Sequence, residues 1–262
     1  MTLVDIGANL THSSFREDLD AVLARSRDAG VRTIVVTGTS IEESARAAAL
    51  ADAHPDELHA TAGVHPHHAR DCDEKTIPAL RALASHPRVV AIGECGLDFN
   101  RNYSPHPDQE KWFEAQLELA CELGKPLFLH SRDAHPRFAE VLRARHGRLP
   151  RAVAHCFTGE HDELRAYLDL DLYVGITGWI CDERRGAHLL DLVREIPRDR
   201  LLIETDSPYL APRDLRPQPR ARRNEPAFLP HILRTVARAL GRAAEEVGEE
   251  TARNARALFA LG

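Results

Sequence analysis

The sequence predicts an α/β protein folded as a single (β/α)8 barrel domain spanning residues 1–262. Three observations predict it. Eight short β-type runs alternate with amphipathic helical stretches from one end of the chain to the other. Most of those runs are almost continuously apolar, as parallel strands covered on both faces must be. The length of 262 residues suits one such barrel, which needs about 250. An open, doubly wound sheet is the alternative arrangement of the same units.

The first run, Leu3–Ile6, is followed by Phe15, Leu19, Val22 and Leu23 at helical spacing, with Gly30 as a stop. The second, Thr33–Thr37, precedes a helix opened by Ser40-Ile41-Glu42-Glu43, a capping-box pattern in front of an Ala-rich stretch. His59–Val64 and Val89–Gly93 are the third and fourth. Phe113, Leu117 and Ala120 then share a helix face, and Gly124-Lys125-Pro126 ends that helix. Pro126–His130, Ala152–His155, Leu172–Ile176 and Leu201–Glu204 complete the set. The one compositional break, Ala211–Pro226, is rich in Pro and Arg. Helical patterns resume at Phe228, so the break reads as a long functional loop within one domain.

Composition excludes several classes. With 34 Lys and Arg against 40 Asp and Glu, the net charge of −6 does not suit a general polyanion binder, so any nucleic-acid contact must come from a local basic patch. No signal-peptide order and no membrane-length apolar run are present. Five cysteines, widely spaced and without a CxxC pair, point to reduced thiols in a cytoplasmic protein rather than a disulfide framework or a cysteine zinc site. A monomer is the default expectation.

In a β/α barrel the C-terminal strand ends converge on one mouth, where catalytic groups collect. Five of the eight runs end in His or carboxylate residues: His65 after the third, Glu94 after the fourth, His130 on the fifth, His155 on the sixth, and Glu204 with Asp206 on the eighth. Neutral imidazole and ionised carboxylate are the usual ligands of a catalytic divalent cation. Any one of them alone has a plainer reading, a rim histidine or, for Asp133 and Asp206, a helix N-cap. Four on four different strands point to a metal site of Glu94, His130, His155 and Asp206. His65 reads as a substrate contact or as rim structure.

The motifs DIGANLT, AGVHPH, AIGECGLDFNRN, HSRDAH, HCFTG, GITGWICDERRG, LLIETDSPYLAPRDL and RRNEPAFLPHI, in order over the whole chain, resemble the TatD family of metal-dependent deoxyribonucleases, which belongs to the amidohydrolase-like barrels. The resemblance implies a metal held by Glu94, His130, His155 and Asp206, with His65 near the metal or the scissile phosphate. It also implies a Mg²⁺-dependent nuclease removing nucleotides from the 3′ end, preferring single strands and linked to DNA repair. The chain departs from the broader family at the first strand. Gly7-Ala8-Asn9 stands where many members carry a His-x-His pair. That matches the TatD branch proper and weakens a second metal site, although Asn9 retains a carbonyl oxygen to offer. Two imidazoles and two carboxylates suit Mn²⁺ or Zn²⁺ better than Mg²⁺, whereas the missing pair shifts the site toward oxygen and water.

On this reading Glu94, His130 and His155 hold the ion, Asp206 orients and deprotonates the attacking water, and Glu94 bridges to a second, weaker ion. His65 contacts the phosphate or protonates the leaving group. Glu204, two residues before Asp206, points into the barrel behind it. Arg213, Arg216, Arg220, Arg222 and Arg223 face only Asp214 and Glu225, a net +3 patch that begins at the mouth. Arg101 and Arg132 add phosphate contacts, and Phe99, Tyr103, Trp179 and Tyr209 are candidates for stacking on unpaired bases. The competing readings are a hydrolase of a small ester or amide, a hydrolase of the aminoacyl-tRNA ester, and a nucleic-acid-binding barrel with a decayed site.

Overall fold

A computed structural model describes residues 1–219 and 222–261. It contains the strands β1 (Leu3–Ala8), β2 (Val31–Val36), β3 (Leu58–Ala62), β4 (Val89–Asp98), β5 (Leu127–Arg132), β6 (Ala152–Ala154), β7 (Tyr173–Ile176) and β8 (Leu201–Ile203). Helices α1 (Leu19–Asp28), α2 (Ile41–Ala53), α3 (Thr76–Ala84), α4 (His106–Leu123), α5 (His135–Arg143), α6 (His161–Asp169) and α7 (Leu189–Leu192) occupy the connections, and α8 (Leu229–Leu240) and α9 (Ala244–Phe259) close the chain. The strands form one sheet in the order β1 to β8. Ala8 at the end of β1 bridges in parallel to Ser207 just beyond β8, so first and last strands meet. Sequential parallel strands whose ends join are a (β/α)8 barrel, and the open doubly wound sheet is excluded.

The residues cluster into two compact units: Met1–Val36 with Cys156–His161 and Val174–Gly262, and Thr37–His155 with Asp162–Tyr173. The first holds β1, β2, β7 and β8. Its interior joins Leu3, Ile6, Phe15 and Leu23 to Ile232, Leu233 and Val236 of α8, all buried. The second holds β3 to β6, with Leu58, Leu80, Ile92, Phe113, Phe128 and Phe138 buried. Phe113 and Phe138 stack at 5.4 Å, which ties α4 to α5.

Local rules explain the element ends. Ser40 caps α2 by accepting the Glu43 N–H at 3.1 Å, as the capping-box pattern requires. Gly124 ends α4 at φ +63°, a left-handed conformation that costs glycine nothing. One strand differs from expectation. β4 runs on past Gly93 to Asp98, because Gly96 lets the β5 backbone approach: a Cβ at Gly96 would lie 1.8 Å from the His130 carbonyl oxygen.

In the first unit Asp5 of β1 is fully buried and accepts from Thr205 N at 2.9 Å and from Thr205 Oγ1 at 2.5 Å. Burial, chiefly, pushes its carboxyl pKa up to about 7. The folded protein thus keeps a proton that the unfolded chain releases near pH ~4. Between those values the unfolded state binds fewer protons, so stability falls as pH rises from about 4 to about 7 and levels off above. Asp5→Asn should remove that part of the slope. Urea midpoints on both sides of the window test this, and equal slopes in the two proteins would sink it.

Candidate metal centre

Four side chains of the second unit meet at one carboxylate oxygen. Glu94 lies within β4, its backbone N–H donating to Gly38 O at 2.8 Å, and only 5% of the residue is exposed. Its Oε1 lies 3.2 Å from His65 Nε2, 3.0 Å from His130 Nδ1 and 2.8 Å from His155 Nε2. Each histidine is delivered by a strand end: His65 just after β3, His130 inside β5, and His155 just after β6, where its N–H donates to Leu129 O. Phe128 fixes the His155 ring by stacking at 4.5 Å.

The electrostatics follow from this crowding. Burial alone would push Glu94 up, but His155, His65 and His130 outweigh it and hold the carboxyl well below its ordinary range. Burial pushes His65 down to about 4 against the pull of Glu94. Burial also opposes charge on His130, yet Asp98 and Glu94 prevail and its pKa is raised.

Proton placement separates the three rings. His65 Nδ1 accepts the His67 backbone N–H at 3.1 Å, so the neutral ring carries its proton on Nε2 and donates it toward Glu94. In this arrangement His65 is therefore a donor to Glu94. Three imidazole nitrogens crowd one oxygen that has two lone pairs, and His130 Nε2, though buried, finds no hydrogen bond among the described residues. This donor set fits a divalent cation: His65, Glu94 and His130 offer ligand atoms within 4.8 Å of one another, and His155 Nε2 meets the same Glu94 oxygen.

One residue escaped the sequence reading. Asp98, at the end of β4 and 1% exposed, sits 2.7 Å from His67 Nε2 and 3.5 Å from His130 Nε2. Burial disfavours its charge, but His130, His67 and the Arg101 N–H hold its carboxyl far below the usual range. The signal was present: Glu94 and Asp98 are an even number apart and share a strand face, provided the strand continues. Because a carboxylate behind a ligating imidazole orients it, Asp98→Asn should weaken metal affinity about 10- to 100-fold. Metal titration of the two proteins checks this, and equal affinities would remove Asp98 from the centre.

Asp206 and Asn9 belong to the first unit, where Asn9 Nδ2 donates to Asp206 Oδ1 at 3.0 Å and Asp206 takes φ +52°. Among the described residues no helix begins at Asp206, so it is not the N-cap that the plainer reading expects. Glu204, expected as a substrate-side residue, needs correction: it is fully buried, and its Oε1 accepts the Cys156 N–H at 2.5 Å. It sets the backbone immediately after His155.

Arg223 is also corrected as a phosphate contact. Its guanidinium pairs with Asp18 at 2.7 and 2.8 Å and with Glu225 at 2.8 Å, so its donors are already engaged by two carboxylates. Arg216 folds back on the Arg213 and Leu215 carbonyls. Arg220 lies outside the described residues. Arg101, Arg132 and Arg222 are exposed. Arg222 lines a cleft of about 560 Å³ with His12, Tyr209 and Arg223, all in the first unit. Of the four aromatics, Tyr103 and Tyr209 are exposed at 53% and 51%, whereas Phe99 stacks on His106 and Trp179 lies under Arg185.

A family model described as TatD related DNase matches residues 4–260. The chain belongs to the TatD family. A TatD protein of Pantoea vagans, named 3′-5′ ssDNA/RNA exonuclease TatD, is 56% identical over 99% of this chain and 100% of its own length. The solved structure of YJJV, a TatD homologue from Escherichia coli K12, superposes with a TM-score of 0.90 at 28% identity, covering 99% of this chain and 98% of that one. An amidohydrolase from Saccharomyces cerevisiae, with a TM-score of 0.89 at 24% identity over 99% and 100% of the two chains, shares the fold. TatD membership makes the chain a hydrolytic enzyme on a (β/α)8 barrel. No helix among the described residues is long and apolar enough to cross a membrane.

Proposed function

We propose that this TatD protein is a Mg²⁺-dependent 3′–5′ exonuclease that hydrolyses the phosphodiester bonds of single-stranded DNA, and of RNA. We further propose that it acts as a cytoplasmic monomer in DNA repair. The observation that carries the reading is the convergence of His65, His130 and His155 on Glu94. The name of the Pantoea vagans relative supports the direction and the substrate.

Glu94, His130 and His155 are the holding groups, and Asp206 joins them on the TatD pattern alone. A divalent cation bound there supplies positive charge to a phosphoryl oxygen and lowers the pKa of water. Asp206 takes the proton of the attacking water, a role typically worth about 10²–10⁴-fold. His65, neutral at physiological pH because burial holds its pKa near 4, donates its Nε2–H to a non-bridging oxygen. Asp98 holds the His130 ring. Arg132 and Arg222 take backbone phosphates, and Tyr103 and Tyr209 stack on unpaired bases. Mg²⁺ as the working ion rests on the missing His-x-His pair. The imidazole donors favour Mn²⁺ or Zn²⁺, and a second ion would be held weakly.

The test is a gel assay on single-stranded DNA labelled at its 5′ end, with chelator-stripped protein and Mg²⁺, Mn²⁺ or Zn²⁺ added back. The expected result is a ladder shortening from the 3′ end, strongest with Mg²⁺ and absent from Glu94→Ala. No cleavage with any ion would overturn the nuclease reading and bring forward hydrolysis of a small ester or the aminoacyl-tRNA ester.

A further inference from the structure

A second cluster of ligating side chains lies wholly within the first unit. Cys181 ends the 3-10 turn Gly178–Cys181 after β7 and is 5% exposed. Asp214 belongs to the Pro- and Arg-rich segment after β8, and His231 is in the first turn of α8. One donor atom from each, sulfur, carboxylate oxygen and imidazole nitrogen, lies within 4.8 Å of the other two. Asp214 Oδ1 is 2.7 Å from His231 Nε2, and the Cys181 Sγ faces Thr235 Oγ1 at 3.5 Å. His231 and Asp214 keep 17% and 36% of their side chains exposed, which leaves a path for an ion to enter.

We propose that Cys181, Asp214 and His231 form a second cation site, distinct from the Glu94 centre, that takes a thiophilic divalent ion of the Zn²⁺ class. The donor chemistry selects the class. Thiolate sulfur favours Zn²⁺ over Mg²⁺, and a sulfur, oxygen and nitrogen set leaves the fourth tetrahedral position to water. Charge agrees, since a thiolate and a carboxylate balance one dication where either alone would be costly to bury. The three donors come from three separate stretches of chain. Binding would therefore clamp the segment bearing Arg213 and Arg216 onto α8 and the turn after β7, and would release the Cys181 proton to solvent. The Glu94 centre has no sulfur among its converging groups, so the two sites are separable by spectroscopy.

The test uses the full-length Glu94→Ala protein, stripped with a chelator, kept reduced and titrated with Co²⁺. The expected result is a sulfur-to-cobalt charge-transfer band in the near ultraviolet that saturates stoichiometrically and is displaced by Zn²⁺. It should disappear in the added Cys181→Ser and His231→Gln variants and survive Cys156→Ser. Should Cys181→Ser fail to fold, Asp214→Asn, at a half-exposed position, must still weaken the band. Absence of the band, or a band lost with Cys156 rather than Cys181, overturns the proposal. Either result leaves the nuclease reading untouched, because Glu94 is already removed.

Discussion

Replacing Glu94 by Gln should lower turnover by about 10³-fold, the equivalent of ~4 kcal/mol in the barrier, while single-strand binding changes by a few-fold at most. Gln keeps the shape of the side chain and an acceptor oxygen, so packing within β4 is preserved. What disappears is the charge on which His65, His130 and His155 converge at 3.2, 3.0 and 2.8 Å. A dication loses its anionic ligand at a buried position, where no solvent compensates. On the proposed reading binding rests on other groups, among them the exposed Arg132 and Arg222. Parallel measurement of turnover and of salt-dependent DNA affinity separates the two. A variant that loses binding as steeply as turnover would move Glu94 from the chemistry to the recognition of substrate.

Gly96→Ala should be the most damaging substitution of a single methyl group in the second unit. Gly96 pairs with His130 across β4 and β5 at φ +150°, and its Cβ would stand 1.8 Å from the His130 carbonyl oxygen. That contact is backbone, so no side chain can swing aside. Either the strands separate locally or Gly96 changes conformation, and both displace the residue that carries the ligating ring. We expect a stability loss of about 3 kcal/mol or more. Turnover in the surviving folded fraction should fall about 10²-fold, as misplacement of a catalytic group by ~1 Å commonly causes. Denaturant midpoints and single-turnover rates measure the two effects. Wild-type stability in Gly96→Ala would show that the strand spacing is adjustable.

Much of this architecture was legible because apolar runs and helix signals repeat along the chain. Each of the eight strands overlaps its expected run, and Ser40 and Gly124 act as their types dictate. Glu94, His130 and His155 were readable because strand ends are where such residues gather. The partners behind them were not. Asp98 was hidden because the length of β4 depends on its pairing with β5 beyond Gly93, and a single chain gives no pairing information. The proton placement on His65 depends on a backbone N–H two residues away, inside a 3-10 turn that composition does not announce. Arg223 was assigned an outward role by charge type, and the two carboxylates that pair with it, Asp18 and Glu225, carry no signal in a single chain; nor does the backbone amide that Glu204 meets. Asp5, flanked by apolar residues in β1, carried no motif of its own beyond the family string.

The way the chain divides has a consequence for its synthesis. The second unit is built almost entirely from Thr37–His155, whereas the first needs Met1–Val36 together with Val174–Gly262. A ribosome delivers His65, Glu94, Asp98, His130 and His155 in one uninterrupted stretch, well before the last third of the protein exists. Strands β3 to β6 pair with one another within that stretch and can do so as they emerge. β1 and β2 pair with each other early, but the junction of Ala8 with Ser207 must wait for the chain beyond β8. The nascent chain therefore carries all five of these residues, with Asn9 already made, before Asp206 exists.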